Sequence, residues 1–239
     1  MKSYRYPSVF FNKEWYWFTT PTAQLVGDVV NVFSYEDSDA GGFKKKIGLT
    51  TVIDLSLSLE SIQAHMRKRF VREQVAKGER NGIKIVIGVS GNELLVPYAR
   101  FREGKGIASD NPRVFASCLN VAAYVEDTII AGGAFVEDGT HIRALALFSE
   151  RFTDDGRMRE VVGQANRMIV AEMITYAKAH GYALFDLGGI APESSEQWER
   201  TLAEFKEAFG GERKTCYYYS KVNSPLLRLI IKIRRILHI

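Results

Sequence analysis

The apolar run Ala183-Leu184-Phe185-Asp186-Leu187 is interrupted by one acid and closed by two glycines, Gly188 and Gly189. A glycine pair at the carboxyl end of a strand lets a ligand approach the backbone closely, and open α/β sheets place their ligands at such ends. The same pair also suffices for a tight strand-to-helix turn. Asp186 can take a proton from an attacking ammonium or hold it in place, and it can equally cap the backbone turn. Further on, Phe205-Lys206-Glu207-Ala208-Phe209-Gly210-Gly211 sets a lysine between two phenylalanines, ahead of a second glycine pair. A positioned cation stabilises a developing oxyanion by about 3 kcal/mol per donor. On an open helix face the same lysine would only be solvated. A third group, Arg67, Arg69 and Arg72, suits phosphates, although a charge run on a helix is usually a solvated face.

Positioning these groups requires a mixed α/β sheet. Leu59, Ile62, Met66, Phe70 and Val71 recur at helical spacing and predict one helix over Ser56–Asn81, stopped at Asn81-Gly82, with the arginines on its other face. Lys84–Val89 reads as a strand and Leu94–Lys105 as a helix. Val114–Val125 and Thr128–Val136 form a hairpin turning at Glu126-Asp127, and a second hairpin at Asp138-Gly139 leads into Ile142–Phe148. After a polar loop, Ser149–Glu160, Ala165, Met168, Ile169, Met173 and Tyr176 mark a helix over Val161–His180. That helix connects to the apolar strand Ala183–Leu187, the layout of a parallel pair buried on both faces. Ser195–Phe209 predicts a helix and Thr215–Val222 a last strand. Toward the N-terminus, Ser8–Phe18 and Val26–Tyr35 are aromatic-rich strands or a pocket cap, Glu36–Lys46 is a loop, and Val52–Leu55 is a short strand.

Of the 239 residues 46% are hydrophobic, ample for one packed domain over 1–223. Lys and Arg number 32 against 28 Asp and Glu, and Arg228, Lys232, Arg234 and Arg235 fall within the last sixteen residues. Without that tail the charges balance, so generic nucleic-acid binding is disfavoured. The tail, 224–239, is a basic amphipathic helix suited to an anionic membrane surface or to a partner. Cys118 and Cys216 stand apart without ligand partners, suggesting neither a disulfide framework nor a metal site. No secretory leader or membrane-spanning run is evident, which predicts a cytoplasmic protein, peripheral on the inner face of the cell membrane if the tail binds there.

The order of hairpins, long helix, apolar strand, helix and terminal strand resembles the N-acetyltransferase (GNAT) superfamily. Within it, Asp186-Leu187-Gly188-Gly189 and Phe205-Lys206-Glu207-Ala208-Phe209-Gly210-Gly211 resemble the paired motifs of Fem-type peptidoglycan-bridge aminoacyltransferases. The resemblance covers about Thr51–Tyr219. It implies a GNAT-like fold with antiparallel meander, crossover helix and parallel strand, and transfer of an acyl or aminoacyl group to an amine of an amino sugar or cell-envelope precursor. Lys206 would stabilise the reacting carbonyl, Asp186 would assist the amine, and Phe205, Phe209, Gly188 and Gly189 would line the substrate. Arg67, Arg69, Arg72, Gln164 and Arg167 complete the substrate-binding candidates. The glycines around Gly156 and Gly163 lack the spacing of an acetyl-CoA pyrophosphate loop. The donor is therefore either aminoacyl-tRNA or acyl-CoA, with no tightly bound cofactor. The acceptor is a small molecule or a lipid-linked saccharide. Two other readings are a CoA-dependent N-acyltransferase with a degenerate loop and a non-catalytic membrane-bound binding module.

Overall fold

Val121, Ala122, Ala123, Ala131, Ala134, Phe135 and Val136 are all fully buried, which is what consecutive small and β-branched residues achieve in strands covered on both faces. The computed structural model describes residues 3–7, 11–104, 112–150 and 156–237. In chain order the strands are β1 (Ser3–Pro7), β2 (Asn12–Trp17), β3 (Val29–Ser34), β4 (Lys44–Asp54), β5 (Lys84–Ile87), β6 (Leu119–Val125), β7 (Thr128–Glu137), β8 (His141–Ser149), β9 (Leu184–Ile190) and β10 (Glu212–Val222). The α-helices are α1 (Leu59–His65), α2 (Glu73–Arg80), α3 (Gly91–Gly104), α4 (Gly156–Ala179), α5 (Gln197–Glu207) and α6 (Pro225–Leu237).

The chain forms two compact units, one of residues 50–213 and one of residues 1–49 with 214–239. In the larger unit the strand order is β4-β9-β8-β7-β6-β5. Strands β5 to β8 are an antiparallel meander, so the three expected antiparallel strands gain a fourth. The turn at Glu126-Asp127 joins Val125 to its partner Thr128. At the next turn Asp138 Oδ1 accepts from the amides of Thr140 (2.9 Å) and His141 (2.7 Å). The crossover helix α4 then carries the chain to β9, which pairs parallel to β8. Its buried face, including Ala165, Met168, Ile169, Met173 and Ala177, closes one side of the main core. In the smaller unit the order is β1-β2-β3-β10-β4, with β3 antiparallel to β10 and parallel to β2. Among the described residues no helix is long and apolar enough to cross a membrane.

Several boundaries move from the sequence expectation. Strand β4 starts at Lys44, so Lys44–Lys46, expected at the end of the Glu36–Lys46 loop, are extended and the strand begins well ahead of Val52. Pro112–Ser117 is a 3-10 helix rather than the start of β6. Gly156–Glu160 belongs to α4 and not to the polar loop, and residues 151–155 of that loop lie outside the described residues, as do 8–10, 105–111 and 238–239.

The helix expected over Ser56–Asn81 is broken. It stops at His65, turns through extended Met66 and Arg67, resumes as a π-turn over Lys68–Arg72 and continues as α2. The break exchanges intrahelical bonds for a tertiary one: the Arg67 amide donates to the Ala208 carbonyl at 2.9 Å. Opposite it, Gly210 has φ +80°, and a Cβ there would lie 2.7–2.8 Å from His65 atoms, its backbone carbonyl included. The glycine that follows the Phe-Lys motif thus serves close packing of two chain segments. Gly210→Ala is expected to lower stability by about 1–3 kcal/mol from the left-handed backbone conformation alone. The collision with His65 adds to that loss. Urea unfolding checks this, and a midpoint indistinguishable from the parent chain would refute the packing role.

Candidate functional site

The larger unit holds a charged pair in its apolar interior. Arg143 on β8 and Asp186 on β9 are register partners in the parallel ladder, and both are buried. An isolated ion in such a place is costly, so it persists only when paired and hydrogen-bonded. Asp186 Oδ2 accepts from the Arg143 guanidinium. Its Oδ1 accepts from the hydroxyl of Thr50 on β4 and from the Gly188 amide, the latter at 2.6 Å. Arg143 also donates to Thr50 Oγ1 at 3.0 Å, closing a three-residue network across β4, β9 and β8. Asp186 is 0% exposed and its oxygens are engaged. Of the two readings its position admitted, contact with an attacking amine and a cap on the backbone turn, the hydrogen bond to the Gly188 amide is the second.

The ladder between β8 and β9 ends at Arg143 and Asp186, although β8 runs on to Ser149 and β9 to Ile190. Beyond that pair Leu145, Ala146 and Leu147 are only half-buried and Gly189 is exposed. Gly188 takes φ +88°, and a Cβ on it would stand 3.0 Å from the Ala144 carbonyl and 3.2 Å from Lys206 Nζ. Lys206, on α5, reaches this strand end and donates from Nζ to the Gly189 carbonyl at 2.7 Å. It is 8% exposed. Burial pushes its ammonium down from 10.5 to about 8; the Arg143 charge acts in the same direction and Asp186 opposes it. The site therefore offers a cation of tuned acidity and a backbone without a side chain, where the ladder between β8 and β9 stops.

The remaining candidates fall elsewhere. Phe209 is fully buried in the main core and packs edge-on to Phe205 with centroids 5.4 Å apart, which corrects its expected place on a substrate surface. Phe205 is partly buried against the same core. Gln164 is also buried, its amide accepting from Asn81 Nδ2 (2.7 Å) and donating to Glu160 (3.2 Å), so it ties α2 to α4 rather than facing a ligand. Arg167 lies with its guanidinium 4.3 Å over the Phe70 ring and 5.6 Å from the Phe205 ring. It donates to the Phe70 carbonyl and the Gly163 carbonyl, both at 2.6 Å. Phe70, expected in the core, is 37% exposed in this arrangement. Arg67, Arg69 and Arg72 are exposed, and Arg72 lines a groove of about 360 Å³ floored by Met66, Val71 and Met168, which includes neither Lys206 nor Gly188.

Arg143 and Thr50 were not among the sequence candidates. A signal was available: Arg143 is the one charge in His141-Ile142-Arg143-Ala144-Leu145, as Asp186 is in β9, and two opposite charges inside adjacent apolar strands invite pairing.

Asp186→Ala leaves a buried guanidinium uncompensated and is expected to cost about 3–5 kcal/mol, as is Arg143→Met in the reverse sense. The double variant should lose clearly less than the two losses added, and a double-mutant cycle with no coupling would contradict the pair. Lys206 gives a second test. Its folded pKa lies below the ordinary value, so the folded chain binds fewer protons between about pH 8 and 10.5 and gains stability as pH rises through that window. Relative to Lys206→Met, the parent chain should gain about 3 kcal/mol from pH 7 to 11 in denaturant titrations. A constant difference would show that the ammonium is not desolvated.

No protein-family model matches the sequence, and no curated protein matches it. Solved structures do share its fold. FemX is similar over 85% of this chain and 74% of that one, at a TM-score of 0.61 and 13% identity. The C-terminal domain of a putative lysylphosphatidylglycerol synthetase from Agrobacterium fabrum matches 87% of this chain and 72% of its own, with TM-score 0.52 and 13% identity. L-PGS from Bacillus licheniformis covers the same shares at TM-score 0.51 and 13% identity. The fold implied by the sequence resemblance, a Fem-type mixed α/β architecture, is the fold of this chain.

Proposed function

We propose that the chain is an acyltransferase that moves an acyl or aminoacyl group from a tRNA ester or a CoA thioester to an amine of an amino sugar or cell-envelope precursor. The observation that carries this reading is the buried Lys206 ammonium at the Gly188-Gly189 end of β9, beyond the point where the ladder with β8 stops. FemX and a domain named for a putative lysylphosphatidylglycerol synthetase, which share the fold, support the aminoacyl form.

In the proposed reaction a neutral amine attacks the carbonyl carbon, forming the C–N bond and a tetrahedral oxyanion. The Lys206 ammonium donates to that oxyanion in a site screened from water, where such a donor acts most strongly. Collapse breaks the C–O bond to the tRNA ribose or the C–S bond to CoA, and the proton lost by the amine passes to the leaving group or to solvent. The Arg143–Asp186 pair holds Gly188 in its left-handed conformation, which keeps the space beside Lys206 open. Catalysis is then chiefly positioning and electrostatic stabilisation.

Mass spectrometry of candidate acceptors, incubated separately with acyl-CoA and with charged tRNA, tests the reading. Mass gain from one donor is expected, and Lys206→Ala should reduce it about 100- to 1,000-fold while leaving the fold intact. The protonated lysine is the active form, so with an acceptor amine of low pKa transfer should fall as pH rises through about 8. A rate that climbs through that range would assign Lys206 as a base, and no mass gain from either donor would remove the transferase reading.

A further inference from the structure

Helix α6 begins with an anchored first turn and then exposes a run of aliphatic side chains. The amides of Asn223 and Ser224 donate to the Asp28 carbonyl, Ser224 Oγ accepts from the Leu227 amide at 3.3 Å, and Arg228 Nε donates to the Val222 carbonyl at 2.7 Å. Leu226, Leu229, Ile230 and Ile233 recur at three- and four-residue spacing, which places them on one face. They are exposed by 67%, 53%, 42% and 44%. Water-facing aliphatic side chains in such a continuous stripe mark an interaction surface.

Charge identifies the occupant. No acid follows Glu212, and the helix carries Arg228, Lys232, Arg234 and Arg235, which account for the whole net charge of +4. A second copy docking through the same face would bring two uniformly cationic helices together, whereas an anionic lipid surface complements them. The 13 described residues of the helix extend about 20 Å, against a hydrocarbon core of about 30 Å. We infer that α6 lies in the interfacial plane of an anionic bilayer, with Leu226, Leu229, Ile230 and Ile233 among the acyl chains and the basic residues at the headgroups.

The test uses the full chain, sedimented with vesicles of phosphatidylcholine alone or of phosphatidylcholine with phosphatidylglycerol. Binding is expected only to the anionic vesicles and should weaken in high salt. Leu229→Glu combined with Ile233→Glu should reduce it about tenfold or more, and Lys232→Glu should reduce it measurably, with circular dichroism unchanged because all three side chains are exposed. Three outcomes would overturn the inference: no sedimentation with either vesicle, equal binding to neutral and anionic vesicles, or a dimer in vesicle-free solution that the Leu229→Glu, Ile233→Glu chain no longer forms.

Discussion

A guanidinium and a carboxylate buried side by side between two parallel strands constrain much of the larger unit. Arg143 and Asp186 each satisfy a charge that the surrounding apolar residues cannot solvate, and Thr50 extends the network to a third strand. Such pairs add little net stability over a well-packed apolar core, but they are intolerant of partial loss. Their value here is register. Because Asp186 also accepts from the Gly188 amide, the pair fixes the backbone two residues onward, where β9 leaves the ladder.

Lys206 depends on that arrangement. Its ammonium has a carbonyl acceptor, and the nearest carboxylate, Asp186, is already committed to Arg143. Burial together with the Arg143 charge outweighs the Asp186 attraction and brings the lysine toward neutrality. A side chain balanced in this way can hold or release a proton near physiological pH, which is uncommon for lysine and frequent at sites of chemistry. Replacing Gly188 by any residue with a side chain would crowd the ammonium directly.

Departure from regularity serves the same end in the segment between α1 and α2. The chain breaks at Met66 and Arg67 so that its backbone bonds to the turn after α5, and Gly210 accommodates the contact. The π-turn that follows presents Phe70 to the Arg167 guanidinium. Short π segments of this kind often occur where function has overridden helix propensity.

Local pattern was sufficient for the meander, the crossover helix, the parallel strand and the two glycine-ended motifs, because each is written in periodicity or in residues with narrow conformational roles. The proximity of Lys206 to Gly188 was implied by the resemblance to paired family motifs and not by local pattern. The pairing of Arg143 with Asp186 was within reach, since opposite charges in two apolar strands admit few other solutions. Burial of Gln164 and Phe209, extension of β4 through its lysines and the break in the first helix were decided only by tertiary structure. Each depends on a neighbour distant in sequence, Asn81 for Gln164 and Ala208 for Arg67 among them, and a one-dimensional pattern carries no record of which distant backbone group will compete for a helical hydrogen bond.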